Sequence, residues 1–192
     1  MALPDSAKYV RGTTLVFSDS VYVPTVVAGA PTGSDADFDL LNLATGGVAH
    51  ESAKMDLTAN FDVEYIVQPY IEWHAPASAP TAGGTVDFYA GYSDSPTAAT
   101  NNPAGLAGVT GVYQGYGSTT ADGTEGLKQL EFIGSLVATA DLTVQTGVIG
   151  TIRPSDRYMM LVAVNNTDAI VCDTDSIETC VALVPMTLQL QD

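Results

Sequence analysis

The sequence predicts an all-β fold, a two-layer antiparallel β-sandwich that is jelly-roll-like, with an up-and-down barrel as the second architecture it allows. Three observations point there. Apolar and polar residues alternate with a period of two over long stretches. Glycine and proline, 18 and 10 of 192 residues, punctuate those stretches at short intervals. Two further segments are apolar on both faces, as strands buried between layers are.

Along the chain, residues 1–12 carry no clear pattern and are expected as an extended N-terminal arm, leaving 13–192 as one sandwich domain. Residues 13–17 and 21–27 flank the turn signal Ser18-Asp19-Ser20 and are expected as strands. In 63–73 the odd positions are Val63, Tyr65, Val67, Pro69, Ile71 and Trp73, while Glu64, Gln68 and Glu72 fall on even ones. Successive side chains of a strand point to opposite faces, so one face is buried and Trp73 belongs to the core. Pro69 has no backbone donor, which suits a sheet edge or a bulge. Residues 85–93 repeat the alternation with Val86, Phe88, Ala90 and Tyr92 inward. Between the two lies a loop rich in Ala, Pro, Ser and Gly, so they are expected to be neighbouring antiparallel strands.

The longest interruption, 94–126, is built of Gly, Ala, Thr, Asn and Pro, with Tyr113 and Tyr116 as its aromatic residues. Its poverty in charge suits a long loop that packs on a surface rather than a solvated linker. Residues 127–139 favour a strand through Leu130, Phe132, Leu136 and Ala138, against a short helix through Leu127, Leu130 and Ile133. Then 142–152 place Leu142, Val144, Val148 and Ile152 on one side. Residues 158–164 and 177–190 are apolar on both faces and are expected as central strands.

Charge limits the choice of partners. Six Lys plus Arg stand against 22 Asp plus Glu, a net −16. Nucleic-acid binding needs a basic footprint to displace counterions from phosphates, and anionic lipid repels such a chain, so neither partner is expected. Solubility at high local concentration explains the acidity, and docking onto a basic protein surface is the other use for it. No apolar run approaches the roughly 20 residues of a membrane span. Met1-Ala2-Leu3-Pro4-Asp5-Ser6 lacks the basic and then apolar pattern of a signal peptide, so synthesis in a cytoplasm is expected. Cys172 and Cys180 are expected as ordinary buried thiols, although they could meet across a turn.

Candidate chemistry is sparse. His50 and His74 lie in Ala-rich, loop-like surroundings and are expected at the surface. Neither zinc-protease, dithiol, nucleophile-elbow nor phosphate-loop spacing occurs, and Gly111 to Gly117 lack the strand-to-helix context of a nucleotide loop. Asp35, Asp37 and Asp39 alternate, and Asp173, Asp175 and Glu178 form a second acidic group. Neither has the ligand spacing of a calcium loop, so both are expected as solvated turns. Glu64, Glu72 and Asp87 sit on polar strand faces, where a hydrolytic carboxylate pair is possible in principle. Tyr89, Tyr113 and Tyr116 are candidates to stack on sugar rings or to pack on a protein neighbour. No catalytic, cofactor or metal residue is assigned, and an enzyme is not expected.

One resemblance runs through the chain. It is carried in order by Arg11-Gly12-Thr13-Thr14-Leu15-Val16-Phe17, Ser52-Ala53-Lys54-Met55-Asp56-Leu57, Pro80-Thr81-Ala82-Gly83-Gly84-Thr85-Val86 and Leu127-Lys128-Gln129-Leu130-Glu131-Phe132-Ile133-Gly134. Arg157-Tyr158, Val164-Asn165-Asn166 and Val181-Ala182-Leu183-Val184-Pro185 complete it. As a set these pieces resemble a family of small structural proteins encoded among the virion genes of tailed bacteriophages. His50 departs from the pattern, which has Arg shortly before the Ser-Ala-Lys-Met-Asp piece, so a salt link there is in doubt. The resemblance implies a virion protein made in the host cytoplasm and without catalytic residues. Capsid decoration is the first role it suggests, with the major capsid protein lattice and copies of itself, as a homotrimer, for partners. A tail or head-tail accessory role, including a carbohydrate-binding receptor module, is the alternative.

Overall fold

In the computed structural model, residues 7–11, 13–23, 29–58, 61, 63–73, 79–115, 124–172 and 175–190 are described. In chain order their strands are β1 (Ala7–Arg11), β2 (Leu15–Ser18), β3 (Ala36–Asp37), β4 (Val48–Glu51), β5 (Met55–Asp56), β6 (Glu64–Ile71) and β7 (Thr85–Ser93). Then come β8 (Gly111–Val112), β9 (Glu131–Val137), β10 (Gln145–Thr146), β11 (Gly150–Ile152), β12 (Tyr158–Asn165) and β13 (Cys180–Leu190). Among these residues, helix is limited to a 3-10 turn at Pro103–Gly105 and one α-turn, α1 (Thr124–Leu127). None is long and apolar enough to cross a membrane.

The strands form two sheets packed face to face as an all-β sandwich. In the seven-stranded first sheet the order is β10-β6-β13-β2-β3, with β11 also on β6 and β1 also on β13. The six-stranded second sheet runs β8-β4-β12-β7-β9, with β5 also on β12. Pairing is antiparallel except for the short β2–β3 contact. The two segments apolar on both faces occupy the middle of each sheet, as expected: β12 is buried at all its positions and β13 is flanked on both sides.

Between the layers lies the main core, which includes Phe17, Phe38, Tyr65, Val67, Ile71, Trp73, Phe88, Leu161 and Val181. Trp73 is 2% exposed, so the strand phase read from the alternation is right. Burying each such side chain is worth roughly 1.5–3 kcal/mol, which commits the alternating faces to one register.

Several expectations need correction. β6 and β7 are not sheet neighbours: the chain between them crosses from the first sheet to the second, where β7 pairs with β12 and β9. Period-two alternation identifies a buried face, and both strands bury theirs in the same core from opposite layers. Residues 21–23 form no strand, with Val21 and Val23 exposed, while 24–28 fall outside the described residues. The stretch 142–152 is not one strand but the two short pieces β10 and β11, and Leu142 and Val148 face solvent.

Pro69 lies within an interior strand, yet its missing donor leaves no ladder bond unmade. The carbonyl of Val67 accepts the N–H of Ile149, so residues of that parity point toward β10 and β11. Pro69 faces the gap between those two short strands, opposite Gly147 to Ile149. The 127–139 stretch forms the expected strand, β9, while the one helical turn, α1, ends at Leu127 and does not continue through Leu130 and Ile133. A bulge opposite Phe88 and Tyr89 then reverses the strand's phase. Phe132 is thrown outward, 55% exposed, while Ile133 joins Leu136 and Ala138 inside. Gly134 marks this site for a steric reason: a side chain there would collide with the backbone carbonyl of Ile149, where the two sheets approach.

Candidate functional site

Each sheet also has an outer face, and the chain covers part of both. On the second sheet a smaller apolar cluster gathers Ala49, Met160, Val162 and Val164 beneath Ala104, Leu106, Tyr113 and Leu130. The long, weakly charged loop thus packs on its own sheet. Gly91 makes this possible, because a Cβ there would come 2.5 Å from Leu106 Cδ1. Tyr113 is buried, its hydroxyl donating to Ala104 O at 2.8 Å, so it is not available to a sugar. Tyr116 falls outside the described residues.

Two charged groups at β4 and just beyond it fix this cover. Lys54 Nζ donates to Ser93 Oγ at 3.0 Å and to the carbonyls of Ser95, Thr97 and Thr100 at 2.8, 2.8 and 2.9 Å. An ammonium has three protons, so four acceptors surround it closely enough to share them. Glu51, 4% exposed, accepts the Ala107 N–H at 2.8 Å and that of Gly108. Burial nevertheless pushes its carboxyl up to about 7, outweighing those two donors.

Past the edge of this cover the outer face is open. A groove of about 440 Å³ is lined by Tyr89, Leu127, Leu130, Phe132 and Val164, with Lys128, Gly47 and Asn166 at its polar margin. It runs across the strands from the approach to β4 to the edge strand β9. Tyr89 and Phe132 meet in a tilted pair with centroids 5.2 Å apart. Tyr89 was legible as a candidate, whereas Phe132 was assigned to an inward alternation that the bulge breaks.

The remaining candidates are dispersed. Asp35 Oδ2 accepts the Val16 N–H and Asp39 Oδ1 that of Leu41, both at 2.8 Å. Asp37 stays at the surface, its carboxyl raised by partial burial and by Asp19 and Asp39 nearby. Asp173 is outside the described residues, Asp175 accepts the Ile177 N–H, and Glu178 donates its N–H to the Glu72 carboxylate. Among the described residues no three His, Cys, Asp or Glu side chains are grouped so as to hold a metal ion. Glu64 and Glu72 are about 26 Å apart at ~3.3 Å per strand residue, and Asp87 lies on the outer face of the other sheet, so these three form no common cleft.

His50 is buried rather than exposed, with its Nδ1 2.8 Å from Asp39 O, and His74 is not among the described residues. Cys172 and Cys180 are free and buried, as expected, at 0% and 1% exposure. Segments that carried the resemblance meet around β12: Asp56 and Arg157 form a two-pronged ion pair, and Ser52 Oγ accepts the Leu161 N–H. Asn165 donates to the carbonyls of Leu43 and Ala169. The buried Ser52 and Asn165 contacts brace the second sheet, while the ion pair lies open to water. A scan against protein-family models matches no family, and a search of curated proteins likewise gives no match.

Proposed function

We propose that this chain is a structural protein of a tailed-phage particle, a decoration protein that seats as a homotrimer on the assembled capsid lattice. The observation that carries this reading is the cover of the second sheet: a long loop of small residues, fixed from below by Lys54 and Glu51, presents a preformed surface. Exposed Val109 and Val112 on that loop and Phe132 and Val137 on β9 add apolar contact points beside it. Surfaces ordered before contact lose little conformational entropy on binding. The role is mechanical. Binding only the assembled shell stabilises that shell by mass action, and many copies on one lattice act together even when each is weak.

A tail or head-tail accessory role is the second reading, favoured in its sugar-binding form by the Tyr89–Phe132 pair beside an open groove. The two separate by co-sedimentation of the purified chain with expanded capsids that lack it, followed by heating. A decoration protein co-sediments and raises the temperature of capsid disruption. If it does neither, decoration fails and the accessory role takes its place.

A further inference from the structure

We propose that the groove beside Tyr89 and Phe132 receives a large apolar side chain from an extended protein segment whose flanking residues are basic. This deepens the reading of the chain as a protein-docking module by naming the chemistry of its partner. A volume of about 440 Å³ accommodates one such anchor with its backbone, within the ~300–1,000 Å³ of specific sites.

The character of the walls selects the occupant. Leu127, Leu130 and Val164 supply aliphatic surface, and Phe132 is exposed enough to close over a guest. A sugar needs free directional polar groups, and here Asn166 Nδ2, at the margin, already donates to Asp87 Oδ2 at 2.8 Å. Charge selects the flanks. Lys128 at the margin is met by Asp87, which lies beside Tyr89, and the chain carries −16 overall. Such a field attracts basic segments.

The test uses the full chain, isotope-labelled for nuclear magnetic resonance, and three short synthetic peptides. The first has a central Trp between Lys and Arg residues, the second replaces that Trp by Ser, and the third replaces the basic flanks by Glu. The first should shift the amides of Tyr89, Leu130, Phe132 and Val164, and the second should bind at least about ten-fold more weakly, as loss of a buried aromatic anchor implies. The third should also bind more weakly, by a margin that shrinks in roughly 1 M salt, where the Debye length falls to ~3 Å.

Phe132→Ser should weaken the first peptide by about ten-fold with little change in melting temperature, since the ring is more than half exposed. Three results overturn the proposal: equal binding of the Ser peptide, unchanged binding by the Phe132→Ser variant, or the same amides shifting with maltohexaose or on concentrating the protein alone. Capsid binding that survives Phe132→Ser sinks the groove and leaves decoration standing. Peptide binding without capsid binding does the reverse.

Discussion

The two outer faces of the sandwich are covered in chemically different ways. Over the first sheet, Val16, Tyr70, Cys180 and Ala182 lie beneath Tyr22, Ala30 and Val144. The bonds that hold this cover are mostly neutral: Tyr22 Oη to Pro31 O at 3.0 Å, Tyr70 Oη to Gly29 O at 3.1 Å and the Cys180 thiol to Tyr22 Oη at 3.3 Å. Burial raises both tyrosine hydroxyls and pushes the thiol up to about 12, so none of the three changes charge near neutral pH. Over the second sheet, an ammonium and a buried carboxyl group hold a longer loop of smaller residues. A cover with apolar side chains of its own needs only neutral bonds to orient it. One made of Gly, Ala and Thr has little area to bury and depends on ionisable groups, which ties it to pH.

The common core sets the scale against which the two covers are compared. Trp73→Ala should cost about 3–5 kcal/mol in chemical denaturation, the range for truncating a buried aromatic, and should weaken both covers equally. Lys54→Met should come next, at about 2–3 kcal/mol, since hydrogen bonds to charged groups are the stronger kind. Its signature is local: amide exchange should quicken across 95–110 and stay unchanged across 29–35. Uniform quickening would mean that Lys54 supports the whole sandwich and that the comparison is misdrawn.

Glu51 makes the difference depend on pH. Its carboxyl is raised from 4.5 to about 7, so the folded chain holds a proton that the unfolded chain has released. The stability this contributes is full below about pH 4.5, is lost as pH rises toward 7, and is flat above that. The total is about 3 kcal/mol at 1.36 kcal/mol per unit. Glu51→Gln keeps an acceptor for Ala107 and should remove this slope, making the variant the more stable form at pH 8. A variant with the slope intact would place the titration elsewhere.

Smaller effects belong to the first cover and the surface. Tyr22→Phe should cost about 1 kcal/mol, the usual net value of a hydrogen bond, at every pH between 5 and 8. Arg157→Gln should leave the melting temperature unchanged, because the Arg157–Asp56 pair is open to water and screened by salt.

Strand existence was legible in the sequence where burial is one-sided or complete, as at β6, β7 and β12. Layer assignment was not, because alternation in β6 and β7 looks the same whether two strands share a sheet or face each other across a core. The phase of β9 was hidden by a single bulged residue at Ile133, which only the partner strand reveals. That error concealed Phe132, half of the candidate groove. Tyr113 was misjudged for a related reason. A small-residue loop reads the same whether its aromatic residue points to solvent or down onto a sheet, and the glycine that admits the loop, Gly91, is more than 20 positions away in the chain. The anchoring roles of Glu51 and Lys54 gave no local signal, since their partners are backbone groups that any sequence supplies.

The pairing of β13 bears on how the chain must be made. This strand binds β6 on one side and both β2 and β1 on the other, with Ala7 opposite Leu190. On a ribosome, β1, β2 and β6 all emerge before the strand that joins them. The first sheet therefore cannot assemble during synthesis of the preceding segments, and its closure waits for contacts spanning nearly the whole chain, a topology associated with slow folding. Until then the partner edges of β2 and β6 are exposed to neighbouring nascent chains, a hazard that grows where many copies are made at once. A strong negative charge on every copy keeps such half-built chains apart, so the acidity of this protein serves its biosynthesis as well as its finished surface.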